Sequence, residues 1–270
     1  KVPYLGFFDL ESARKEKENL RRKGLDVTVG RAEAYSTLGW FRDPLTLNLI
    51  TGSTADLVET ILHEMTHSTL YVKGQSEFNE GLALFVGRVG TVLFFQEIYG
   101  PFHRLTREAE EGIRDERIFS SFLASLFHEL EELYASPRSY EEKLAERERI
   151  FSCTLSSFDR IKEGLKTRRF RAFGSAGLNN AYLLAVGLYH RNFPLFERTY
   201  RRNGSSVQAM LKAFGEMGGK DRDILESLKH EGERVTSRRC ISCGRRSDLV
   251  PFHDLRANGR AVEEHTPSRA

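Results

Sequence analysis

Cysteine is scarce, with three residues in 270, so a disulfide scaffold is excluded. Charge of one sign is also missing. Lys and Arg number 41 against 38 Asp and Glu, a net charge of +3. A dedicated nucleic-acid binder needs a basic surface, and this balance speaks against one. Uninterrupted apolar runs are short; "VGTVLFF" falls far below the roughly 20 residues of a membrane span. No transmembrane span is therefore expected in this chain. Phosphate-binding fingerprints are absent too, since "GSAG" and "GEMGG" lack the strand context they would need. No internal repeat is visible. What the chain does have is a hydrophobic fraction of 40%, enough for a core.

The pattern predicts an α+β fold, with a small N-terminal sheet layer packed on a mainly helical body. "VPYLGFF" reads as a strand. "DLESARKEKENLRRKG" reads as a helix with Asp9 as N-cap and Gly24 as stop. "LDVTV" alternates and is β-branched, so it reads as a second strand. "AYSTLGWF" reads as a third strand or strand-like loop. From Thr54 the periodicity is helical, first through Leu57, Val58, Ile61, Leu62 and Met65, which set that helix in the core. Further helices are expected over 77–100, 103–136 and 139–165, the last two as an antiparallel pair. Shorter ones follow over 180–191, 194–202, 206–214 and 221–233. The charge runs "REAEEGIRDER" and "YEEKLAERERI" and the basic clusters "KTRRFR" and "RRNGSS" read as solvated surface. The expected organisation is one domain over 1–235, sheet-containing to 53 and helical from 54, with a polar tail over 236–270.

Within the first of those helices lies His63-Glu64-Met65-Thr66-His67. Positions four apart share a helix face, so both imidazoles aim at one point. That suits two ligands of a zinc ion. Glu64 lies about 100° around, able to reach a bound water and move its proton. With eight histidines in 270 residues, a chance H-E-x-x-H is a matter of a few per cent. A catalytic zinc takes three protein ligands and keeps one position open. Glu80 is the best third candidate, near the start of an apolar helix and reached through a reversal at Gly74. The blander readings are hydrogen-bonded structural histidines and a carboxylate serving a helix dipole.

"HEMTH" followed by "FNEGLALFVG" resembles the gluzincin metallopeptidases, in which a Glu of an N-E-G-type helix completes the zinc site. With "VPYLGFF" and "AYSTLGWFRDPL" upstream, the run resembles more narrowly a bacterial family of predicted zinc aminopeptidases. The likeness is dense over about residues 2–90, thinner over "GLNNAYLLAVGLYHRNFPLFERTY", and absent from the tail. It implies a zincin-like body and one Zn2+ per chain, held by His63, His67 and Glu80, with Glu64 as general base. It also implies an N-terminal portion preceding Lys1, carrying a membrane-directed leader, and hence a cell-envelope or periplasmic location; a cytoplasmic one stays open. Two departures stand out. The G-x-M-E-N motif that grips a substrate amine in the large aminopeptidases is absent. Leu84 occupies the place where some gluzincins carry an acid. The activity expected is zinc-dependent hydrolysis of a peptide or protein. The alternatives are a non-catalytic helical interaction protein and a hydrolase of another amide or ester.

Around this centre, Tyr189 and His190 are candidate oxyanion donors. Asn179 and Asn180 are candidates for substrate contact or for a helix cap. The extended segment Tyr35, Ser36, Thr37, Leu38 and Gly39 could pair with a peptide by strand addition. Cys240 and Cys243, with His253 beyond, resemble half of a zinc knuckle, a secondary metal site short of its fourth ligand. Cys153 reads as a buried small hydrophobe.

Overall fold

The structure is a computed structural model that describes residues 5–30, 52–218 and 223–237. Its helices, in order, are α1 (Leu10–Arg22), α2 (Thr54–Thr69), α3 (Ser76–Tyr99), α4 (Arg104–Ala135), α5 (Tyr140–Glu163), α6 (Asn180–His190), α7 (Phe193–Arg202), α8 (Val207–Gly218) and α9 (Ile224–Ser237). By contacts the chain divides into two units, Lys1–Lys229 and His230–Ala270. The site lies within the first.

The expected N-terminal sheet is not there: the described residues contain helices and no strand. Residues 5–8 and the whole of "LDVTV" carry no ladder. An extended, β-branched segment becomes a strand only when another edge takes its backbone groups. Here the segment meets a helix end instead, through one backbone carbonyl and one side chain. Asn179 Nδ2 donates to the Val27 carbonyl at 3.4 Å, and the Asn180 N–H donates to the Asp26 carboxylate at 3.2 Å. The Arg147 guanidinium holds the same Asp26 oxygen at 3.1 Å. The third expected strand, "AYSTLGWF", lies outside the described residues.

Helix ends follow their capping chemistry. Asp9 accepts from the Ser12 N–H, Ser53 from the Asp56 N–H, and Ser139 forms a reciprocal capping box with Glu142. These caps explain why the boundaries fall where side-chain acceptors meet an apolar period.

α3 is the central element. Phe78, Leu82, Phe85 and Phe95 are fully buried, packed with Phe193 and Phe196 of α7, Met210 and Phe214 of α8, and Ile224, Leu225 and Leu228 of α9. By length and composition α3 could cross a membrane, and 67% of its most apolar window is buried inside the protein. A search for unbroken apolar runs passes over it because Glu80 and Arg88 divide the run. A second apolar cluster joins Phe119, Leu123 and Phe127 of α4, Ile150 and Phe158 of α5, Phe170, Phe173, and Leu183 of α6.

Three expectations about burial are corrected. Ile61 and Met65 are exposed; α2 buries Ala55, Thr66 and His67 instead. The helix therefore turns Thr66 and His67 inward together with the partly buried Val58 and Leu62. In the run "REAEEGIRDER", Asp115 and Glu116 are fully buried rather than solvated. Asp115 accepts from the backbone N–H groups of Lys166 and Thr167, which satisfies its charge inside. Cys153, expected inside, is exposed.

α2 packs closely on α3 because α3 presents glycines there. A Cβ on Gly87 would meet the Glu59 carbonyl oxygen at 2.9 Å, and one on Gly90 would meet Leu62 Cδ1 at 2.8 Å. The connection between the two helices turns at Gly74, whose φ of +81° suits glycine.

Candidate metal centre

Asn79 fixes the reversal. Its Oδ1 accepts from the Val72 N–H at 2.9 Å and its Nδ2 donates to the Val72 carbonyl at 2.8 Å. The amide acts as a short mimic of strand pairing and leaves no polar group of Val72 unpaired. The next residue, Glu80, is thereby carried to the inward stripe of α2.

There His63 Nε2 and His67 Nε2 stand 3.2 Å apart. Glu80 Oε2 lies 3.4 Å from the first and 3.5 Å from the second. Metal–ligand bonds of about 2.0–2.1 Å in a tetrahedral zinc site put neighbouring ligand atoms about 3.3 Å apart. The triangle fits that size. Its donor set of two imidazole nitrogens and one carboxylate oxygen is also what a borderline divalent ion takes. The three residues form a metal-competent cluster by their mutual distances.

Burial pushes the Glu80 carboxyl up, but hydrogen bonds and charge from His63 and His67 outweigh it and hold the group at about 2. The carboxylate is thus ionised wherever the protein is folded at neutral pH. His67 is buried, and its Nδ1 has no hydrogen-bond partner among the described residues. Its polar interactions therefore run through Nε2, towards the triangle.

Glu64 is half-buried on the neighbouring face of α2. The Tyr189 ring centre lies 6.2 Å from that of His63, and Tyr71 stands 6.3 Å from His67. Tyr71 went unread in the sequence, where nothing but its place four residues after His67 marks it. His190 is engaged elsewhere: its Nδ1 meets Glu116 Oε1 at 2.7 Å, and its ring packs edge-on against Phe119 and Phe170. Asn179 caps α6 by accepting from the Tyr182 N–H, and Asn180 accepts from the Tyr134 hydroxyl. Both asparagines thus have structural partners. Tyr35, Ser36, Thr37, Leu38 and Gly39 lie outside the described residues, as do Cys240, Cys243 and His253.

Behind the triangle lies a buried ionic chain that the sequence reading missed. Arg88 Nη1 meets Glu59 Oε2 at 2.6 Å and Arg88 Nη2 meets Glu116 Oε2 at 3.2 Å. Arg169 reaches Glu59 at 2.9 Å and Asp56 at 3.1 Å. Burial raises the Glu59 carboxyl despite the nearby Arg88. Burial also pushes Glu116 up, but His190 and Arg88 together bring it below the usual carboxylate value. One signal was available: Arg88 is the one basic residue of the apolar helix α3. Glu116, set among many acids, had none.

Comparison with known proteins places the chain in a family. The family described as "Putative aminopeptidase" covers residues 1–224. No curated protein matches the chain, and no solved structure does.

Proposed function

From a chain that belongs to the family described as "Putative aminopeptidase", we propose a zinc-dependent peptide hydrolase in which His63, His67 and Glu80 hold the ion. The observation that carries this reading is the convergence of the three ligand atoms at separations of 3.2, 3.4 and 3.5 Å. A zinc ion at that point would supply a Lewis acid and an activated water. The chain's own residues account for the rest. Glu64 takes the proton of the attacking water and delivers it to the leaving amine as the C–N bond breaks. Tyr189 flanks His63 and donates its phenol to the developing oxyanion. Asn79 keeps Glu80 in place by holding Val72. The peptide substrate class follows from the family's description; the missing G-x-M-E-N motif leaves removal of an N-terminal residue without its usual amine anchor.

The test pairs metal analysis with one substitution. Purified wild type should carry one zinc per chain and cleave peptides. Glu64→Gln should keep the zinc and lose at least about 100-fold in kcat, the lower end of a general base's contribution. A wild-type protein that binds no zinc, or full activity in Glu64→Gln, overturns the reading. Zinc binding with hydrolysis of esters and no peptide would move the substrate class.

A further inference from the structure

The ionic chain behind the site joins the two elements that face each other across it. Glu59 sits one turn before His63 on α2, so Glu59, His63 and His67 form one stripe. Its carboxylate is bonded to Arg88 of α3 at 2.6 Å. The other arm of the same guanidinium reaches Glu116 of α4, at 3.2 Å. Glu116 uses its second oxygen on His190 of α6, at 2.7 Å. His190 is the neighbour of Tyr189, whose ring flanks His63. One planar, two-armed cation thus ties the helix bearing both histidines to the helix bearing the tyrosine, with α3, the source of Glu80, as its base.

A buried ion network of this kind is a poor source of stability, because well-packed apolar side chains would serve as well or better. What a planar guanidinium adds is direction: its donors fix two carboxylates at set angles. Elsewhere α2 approaches α3 over Gly87 and Gly90, with Ala55 and Val58 packed on the same apolar cluster, and such contacts allow approach without the directionality of a two-armed ion pair. Arg88 and Glu116 are both buried. The chain ends on aromatic packing at His190, and at its other end Arg169 also holds Glu59.

We infer that Glu59, Arg88, Glu116 and His190 are positioning residues for the proposed hydrolase: the Glu59 arm sets the two histidines, and the His190 arm sets Tyr189. The inference rests on the metal-hydrolase reading and adds a division of labour to it. The two arms should separate experimentally. Arg88 is a poor first target, since removing it takes a partner from two carboxylates at once and leaves them to Arg169 and His190. Glu59→Gln and His190→Phe are milder, and the second keeps a ring between Phe119 and Phe170.

The experiment measures zinc affinity by chelator competition, the visible spectrum of the cobalt-substituted protein, kcat and KM, and thermal melting. Glu59→Gln should weaken zinc binding by about tenfold or more, the scale of lost support behind a metal ligand, and shift the cobalt spectrum. His190→Phe should leave affinity and spectrum at wild-type values while kcat falls about tenfold at unchanged KM. Arg88→Lys, which keeps the charge but not the fork, should show both effects. Wild-type affinity in Glu59→Gln together with wild-type kcat in His190→Phe overturns the inference alone. So does a pattern in which every variant loses activity only in step with its melting temperature. A wild type that binds neither zinc nor cobalt overturns the metal reading, and this inference with it.

Discussion

A single amide decides where Glu80 goes. Asn79 satisfies both polar groups of Val72 in a site that is nearly closed to water, where an unpaired group costs about 1–3 kcal/mol. Asn79→Ala should therefore lower stability by about 1–3 kcal/mol and weaken zinc binding. Asn79→Ala with wild-type metal affinity would show that the connection holds itself. Glu116 has its own signature in pH. Its folded pKa lies below its ordinary 4.5, so its stabilising contribution is complete above that value and is lost as pH falls through the folded one. Glu116→Gln should melt below wild type at neutral pH, and the gap should close as pH drops from about 4.5 downward. Melting curves of both proteins across that range check the direction; a gap that widens in acid would refute it.

At the scale of the element, the contact between α2 and α3 turns on two glycines with different neighbours. Helix propensity alone favours alanine at both by roughly 1 kcal/mol. At Gly87, however, the new Cβ meets a backbone carbonyl, which cannot rotate away; at Gly90 it meets the flexible end of Leu62. Gly87→Ala should destabilise by about 1–3 kcal/mol and reduce metal affinity, whereas Gly90→Ala should be close to neutral. Equal effects in the two variants would mean that the helices do not meet as described. The helices themselves were legible in the sequence because caps and apolar periods coincide, as at Asp9. The triangle was legible because His63 and His67 share a stripe and Gly74 marks the reversal. The sheet was misread because "LDVTV" has strand composition, and composition does not say whether an edge will receive it. The inward face of α2 was misread for a related reason. Its apolar residues Ile61 and Met65 lie opposite the stripe of Glu59, His63 and His67, so the usual rule that apolar residues turn inward misplaced these two, while Val58 packs against the core. Glu116 and Arg169 were hidden because burial of a charge is settled by partners far away in sequence.

For the whole molecule, the site is a join as well as a centre. α2 and α3 meet at the three ligand atoms, so metal and fold should be linked. Metal at about 100 times its Kd stabilises by about 2.7 kcal/mol. For a domain of this size that is about 5–10 °C in melting temperature. Chelation should lower the melting temperature by that amount, and added zinc should restore it. The same treatment of Glu80→Ala should move it far less. Insensitivity of the wild type to chelator would separate the cluster from the fold.

The apolar length of α3 has a consequence for the chain as it is made. Ser76–Tyr99 leaves the ribosome well before Phe193, Phe196, Met210 and Phe214, the side chains that cover it. Until those arrive, a helix with the composition of a membrane span has only α2 and the start of α4 to pack against. Segments of that kind attract chaperones and aggregate when their partners come late. His63, His67 and Glu80, by contrast, are all complete within the first part of the chain. An ion captured there early would clamp α2 to α3 during synthesis, so zinc supply during expression should govern the soluble yield of this protein.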